Sequence, residues 1–176
     1  MSQIFVCGLY EMAEHVERLR PGRLVSLLPK EEQPPTPPEI EADDHLRVPI
    51  CDVDAPGAGP FAPERHHIVA LVAFLRATPP EISILIHCLA GVRRSTAAAL
   101  IALVLEAPER EREAALCLRA AAPFADPNRL MIDLADDVLG CKGKLVAARK
   151  AMGLPDWTPG FGLIELPRQL PPRASS

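Results

Sequence analysis

Four short apolar runs stand out along this chain. Ile4–Cys7, Arg23–Leu28, Leu46–Cys51 and Ile82–His87 are rich in Ile, Val and Leu and are bounded by Gly, Pro or charged residues, which predicts strands. Between the first two, Met12, Val16 and Leu19 recur on one face of a helix. After the third, Pro63 is placed to open a second helix, with Ile68, Leu71, Val72 and Leu75 at core spacing. A third helix is predicted from near Arg94 to about Glu106, and a fourth over roughly Glu109 to Ala121. The fifth reads as capped by Asp126 with Pro127 at its first position, and its stripe runs Leu130, Leu134, Val138 beside Met131, Ala135, Leu139. A sixth covers about Lys142 to Met152, with Gly153 placed to stop it.

Strands alternating with helices, then a run of helices, predict an α/β domain. Its centre is a mostly parallel sheet of about four to five strands flanked by helices. In such sheets ligands bind beyond the carboxyl ends of the strands. Pro29 to Glu39 holds five prolines among charged residues and reads as an exposed connection. Residues 1–154 are expected to form the domain. Residues 155–176 read as a Pro-rich, partly disordered tail, with Trp157 and Phe161 available to dock it.

At 176 residues, 48% hydrophobic and 24% charged, the chain fits one ordinary globular domain. Aromatic residues make up only 4%, so Leu, Val, Ile and Ala must build the core. The net charge of −4 argues against a general nucleic-acid binder or a basic membrane-surface protein. The N-terminus lacks a basic, then long apolar, leader. The longest apolar run, Ala97 to Leu105, falls far short of the ~20 residues that span a bilayer. Cys7, Cys51, Cys88, Cys117 and Cys141 include no Cys-x-x-Cys pair, which suits a reducing compartment. His15, His45, His66 and His67 have no partner at metal-ligand spacing and read as surface or half-buried residues. The expectation is a cytoplasmic protein that needs no metal or cofactor and engages neither nucleic acid nor membrane.

The chemistry concentrates in Ile82 to Thr96, an apolar strand that ends at a Cys, crosses a Gly-bearing loop and enters an apolar helix. At such a turn backbone N–H groups and the positive end of the helix dipole converge, which favours a phosphate dianion or a thiolate. Cys88 at its mouth is the candidate nucleophile, with a pKa expected below that of a free thiol. The amides of Leu89, Ala90, Gly91, Val92, Arg93 and Arg94 are placed to hold a phosphoryl group. Arg94 adds a planar fork for two phosphate oxygens, and Ser95 a hydroxyl for the thiolate. Arg93 reads as a solvated charge, the alternative being positive charge at the pocket rim. A proton donor for the leaving oxygen is sought in the loop after the third strand, at Asp52 or Asp54; both are also ordinary turn formers. Cys51 borders that loop, and a reversible Cys51–Cys88 disulfide is a further reading.

His87-Cys88-x-x-Gly91-x-x-Arg94-Ser95 resembles the signature of the cysteine-dependent protein tyrosine phosphatase superfamily. The length and element order are similar to its dual-specificity branch, and to small bacterial tyrosine-phosphatase-like proteins with an Ala-rich helix after the signature and a Pro-Asn-Arg stretch later. The resemblance covers residues 1–153 as an order of elements and is specific only at Cys88 to Ser95. It implies a phosphomonoester hydrolase working through a phosphocysteine, on a phosphorylated protein or a small phosphomonoester. It implies Asp52 as general acid, 36 residues before Cys88. It implies that His87 orders the loop and lowers the Cys88 pKa, and that Asn128 steadies the phosphate loop. The Trp-Pro-Asp loop and the ring-stacking Tyr of the classical tyrosine-specific enzymes are not evident, which leaves the substrate open. A phosphate-binding pseudophosphatase, a phosphoinositide, nucleotide or RNA phosphatase, and a sulfurtransferase are the alternatives.

Overall fold

The computed structural model describes residues 2–172. The strands are β1 (Gln3–Gly8), β2 (Arg23–Leu28), β3 (His45–Pro49), β4 (Ile84–Cys88) and β5 (Ile164–Pro167). The helices are α1 (Leu9–Leu19), α2 (Arg65–Arg76), α3 (Arg94–Glu106), α4 (Glu111–Ala121), α5 (Arg129–Leu139) and α6 (Lys144–Ala151). The sheet order is β3-β2-β4-β1-β5, parallel except for β5 against β1. The fold is therefore α/β with a five-stranded, mostly parallel sheet.

Strand alternation sorts the core into two layers. Ile4, Val6, Val25, Leu27, Ile84 and Ile86 face the larger one, formed with α2 to α6. Phe5, Cys7, Leu24 and Leu85 face the smaller one with Met12 and Val16 of α1. Burial on both faces is why these strands read as unbroken apolar runs. Helix α3 is buried from Arg94 through Val104, and Ala97, Ala98 and Ala99 let it lie close to its neighbours. Strand β4 is central, with β1 and β2 on either side, so Cys88 emerges at the carboxyl end of the sheet's middle.

Several boundaries differ from the sequence reading. Glu64, not Pro63, caps α2: its side chain takes the His67 amide while the His67 ring takes the Glu64 amide. Asn128, not Asp126, caps α5, because Asn128 accepts from the Met131 amide while Asp126 is engaged by Arg149 and Arg93. Helix α4 begins at Glu111, after Glu109 in a left-handed conformation. The segment read as a tail supplies β5, whose Ile164 and Leu166 are buried against β1. Four residues with a Pro at the end give too short a period to read as a strand. Phe161 meets Phe124 and Trp157 edge to face. Residues 173–176 of that segment lie outside those described.

Arg168 follows β5 and is 3% exposed. It donates to the Ile82 and Thr78 carbonyls and pairs with Glu106 of α3, tying the last strand to the central helix. Removing one partner of a buried pair leaves the other without compensation. Arg168→Ala is expected to cost about 3 kcal/mol in urea unfolding, and to speed amide exchange in β5 ahead of the other strands.

Candidate active site

The loop that follows β4 is held from outside by its carbonyls. Leu9 N donates to Leu89 O, Asp126 N to Val92 O, and Asn128 N to Arg93 O, at 3.0–3.1 Å. A trans peptide points its N–H opposite to its C=O. The amides of Ala90, Arg93 and Arg94, in the same peptide units, therefore turn toward the loop's interior. Gly91 has φ +75°, and a Cβ there would lie 2.7 Å from the Cys7 carbonyl carbon and 2.8 Å from Gly8 N. Only glycine accepts both that backbone angle and that approach. The loop is thus pressed against the end of β1, with Leu89 and Ala90 exposed at its rim and Gly91 and Val92 buried.

Cys88 is 3% exposed, and its Sγ lies 3.2 Å from Ser95 Oγ. Burial alone would raise its pKa. Hydrogen bonds from the Ser95 hydroxyl and amide, the nearby Arg94 charge and the Gly91 amide overcome burial and hold the thiol below its ordinary value. Cys7, on the neighbouring strand but facing α1, shows the contrast: burial, aided by Glu11, pushes it up to about 12. Arg94 is buried; Nη1 donates to the Ile50 carbonyl at 3.0 Å, while Nε is buried with no protein partner. All five cysteines are free, Cys51 and Cys88 among them.

The loop after β3 brings two carboxylates to the site. Asn128 Nδ2 donates to Asp52 Oδ1 at 2.8 Å and to the Val53 carbonyl at 3.0 Å. Asn128 is fully buried and bridges the Cys88 loop, the Asp52 loop and the start of α5. Asp54 takes Arg93 Nη2 on both oxygens at 2.7 Å and the Arg129 amide at 3.2 Å. Burial opposes it, but those hydrogen bonds keep Asp54 below the usual carboxylate range. Arg93 is not the solvated charge read from the sequence. It is half-buried and faces Asp52, Asp54 and Asp126 at once, at 3.5, 2.7 and 3.3 Å. Those partners come from positions far apart in the chain, so no local pattern announced the cluster.

His87 is fully buried on the opposite face of β4 from Cys88, and Ser26 Oγ bonds its Nε2. The same hydroxyl meets Nε2 of buried His45 at 2.7 Å. Ser26 escaped the sequence reading, and His45, read there as a surface or half-buried residue, is buried. The available signal was a polar residue at an inward position of an apolar strand. Burial pushes both imidazoles down to about 4, with the Arg94 charge adding to it at His87 and that of Arg47 at His45. In the unfolded chain both regain ordinary values near 6.5. Between pH 6.5 and 4 the unfolded state therefore binds more protons, so these rings' contribution to stability is complete above pH 6.5 and lost as pH falls toward 4. Urea midpoints are expected to drop steeply across that window, by on the order of 3 kcal/mol per imidazole, and the drop is expected to shrink in His45→Gln.

No protein-family profile matches the chain, and no curated protein does. Solved structures do. DUSP15 aligns with a TM-score of 0.61 and 18% identity over 92% of this chain and 94% of its own. The Yvh1 phosphatase domain from Chaetomium thermophilum aligns at 0.59 and 23% identity over 78% of this chain and 92% of its own. PTPMT1, solved in complex with PI(5)P, aligns at 0.56 and 11% identity over 85% of this chain and 91% of its own. Among the described residues no helix is long and apolar enough to cross a membrane. The chain has the fold of the dual-specificity and related cysteine-based phosphatases.

Proposed function

We propose that the chain is a cysteine-dependent phosphomonoester hydrolase of dual-specificity type. The observation that carries this reading is the convergence on Cys88 Sγ of the Ser95 hydroxyl, the Gly91 and Ser95 amides and the Arg94 charge. The fold of the structural neighbours supports it. Cys88 thiolate attacks phosphorus as the bond to the leaving oxygen breaks, and that oxygen takes a proton. Charge on the equatorial oxygens is met by inward-facing loop amides and by Arg94, whose Nε has no protein acceptor. Water then attacks the phosphocysteine, gives up a proton, and releases phosphate and the thiolate, which Ser95 receives.

Asp52 is the proposed proton donor, then acceptor. Asp54 is the weaker candidate, because a carboxylate pinned by Arg93 and held below the usual range is a poorer acid at neutral pH. His87 is proposed to order the loop from below and Asn128 to hold the two loops together. The substrate is proposed to be a phosphorylated protein; PI(5)P in PTPMT1 makes a phosphoinositide the second reading.

Turnover of an aryl phosphate without added metal tests the reaction. Cys88→Ser is expected to abolish it while vanadate still binds; a Ser variant of near-normal turnover overturns the mechanism. Arg94→Lys keeps the charge but loses the bidentate fork, and is expected to lower turnover by about 100- to 1000-fold. Asp52→Asn is expected to cost little with an aryl phosphate of good leaving group. It should cost about 100-fold more with a phosphopeptide or alkyl phosphate, whose leaving oxygen is basic. Asp54→Asn should lack that leaving-group dependence.

A further inference from the structure

We propose that Trp157 and Phe161, with Tyr10 and Leu89, form an apolar docking surface beside the Cys88 loop for the stretch of peptide next to the phosphorylated residue, so that the substrate is a phosphopeptide with apolar rather than acidic neighbours. The inference rests on the phosphatase reading of Cys88 and names the peptide class that site takes.

The chain has one Trp, one Tyr and five Phe. Tyr10, Trp157 and Phe161 are 89%, 50% and 60% exposed, whereas Phe5 and Phe124 are buried. These three exposed rings lie at the carboxyl end of the sheet, where Cys88 emerges. Tyr10 follows Leu9, whose amide donates to Leu89 O at 3.0 Å. A helical Cβ leans toward the helix N-terminus, so Tyr10, in the first turn of α1, leans out over that end. Leu89, at the loop's rim, is also exposed. Strand β5 runs antiparallel to β1 and begins with Ile164 opposite Val6. Phe161, three residues earlier, therefore lies beyond the end of β1, against whose last residues Gly91 is pressed.

The segment that carries Trp157 and Phe161 is fastened down while its rings stay exposed. Asp156 N donates to the Pro123 carbonyl at 2.9 Å, and Arg119 Nε to the Met152 carbonyl at 3.1 Å. A turn closes from Gly160 N to Trp157 O, with Gly160 at φ +76°. Phe161 stands edge to face with buried Phe124, centroids 5.5 Å apart, and Trp157 with Phe161 at 5.9 Å. Phe124 leads into Asp126, whose amide holds the Val92 carbonyl of the Cys88 loop. The aromatic pair is thus tied to a segment that anchors the loop. Large apolar side chains grouped on a surface mark a place where another molecule sits.

Position and charge name the occupant. With the phosphoryl group held in the loop, the rest of the substrate lies across this end of the sheet. Strand β5 stands two strands from β4, about 10 Å, which an extended peptide covers in about three residues. The carboxylates of Glu11, Asp52, Asp54 and Asp126 gather at the same end, and the last three share Arg93. That field repels an acidic flank, and it repels an anionic lipid surface, which is drawn to clustered cations. Apolar side chains are left as the favourable contact.

The test compares kcat/KM of the full chain on phosphopeptides of one length and one phosphorylated residue, with Leu, Ala or Glu at the second and third positions on either side. Wild type is expected to favour the Leu peptide over the Ala peptide by about tenfold, through KM, as burial of one apolar side chain gives. The Glu peptide should be poorer than the Ala peptide. Trp157→Ala and Phe161→Ala should each remove most of the Leu preference and leave turnover of a small aryl phosphate unchanged, because neither residue touches the reacting atoms. Urea unfolding reports whether each variant is folded; if neither is, the wild-type peptide series decides. A wild type blind to its flanks, or a Leu preference that survives both substitutions, overturns the docking surface and leaves the Cys88 reading intact. So does Cys88→Ser protein that binds phosphatidylcholine vesicles carrying a phosphoinositide more tightly than the Leu peptide, or a wild-type dimer that Trp157→Ala splits in sedimentation. A wild type that turns over neither aryl phosphate nor peptide overturns both.

Discussion

Everything at the candidate site depends on the outward anchoring of one loop's carbonyls. Three separate elements supply the donors: the start of α1 through Leu9, the segment before α5 through Asp126, and the cap of α5 through Asn128. Backbone amides turned inward are a fixed electrostatic arrangement that needs no reorganisation when charge arrives. The same arrangement explains why two buried thiols on adjacent strands diverge. Cys7 is buried near the negative Glu11 and stays a thiol, while Cys88 meets donors and is drawn toward ionisation.

Around this loop the polar side chains divide the work by depth. Asn128 and Arg93 connect the Cys88 loop to the Asp52 loop at the surface end. The Asp52 loop is thus held in place through Asp54 and Val53 as well as through Asp52 itself. A carboxylate held this way has little rotational freedom left to lose, which is the usual gain from preorganised groups. Below the loop, His87, Ser26 and His45 form a polar seam through an apolar layer. Both sets are networks, so single substitutions in either are expected to be non-additive.

The sequence carried the local features well. The strand ending at Cys88, the helix from Arg94 to Glu106 and the Gly at position 91 were legible, because periodicity and loop chemistry are written in adjacent residues. Gly91 turned out to answer to a distant backbone, that of Cys7 and Gly8, as much as to its own turn. What escaped was non-local. Arg93 gathers carboxylates from positions 52, 54 and 126, and Ser26 lies between two histidines from different strands. Asp126 looked like a helix cap until Arg149 and Arg93 were found to claim it. Strand β5 was hidden by its brevity and its terminal proline. Its pairing depends on an open edge of β1 that no local pattern reports.

Strand β5 has a consequence for how the site is assembled. Its partners on β1, Gln3 to Val6, lie some 160 positions earlier in the chain. Strand β1 in turn ends at Gly8, against which the Cys88 loop is pressed. Contacts of such long sequence separation carry the largest loop-closure cost and tend to form late. The floor of the site is therefore completed when β1 meets β4, 80 positions later in the chain, with β5 covering the other edge of β1. A molecule with β4 and α3 in place, but without that meeting, would hold Cys88 in a loop that lacks its fixed wall.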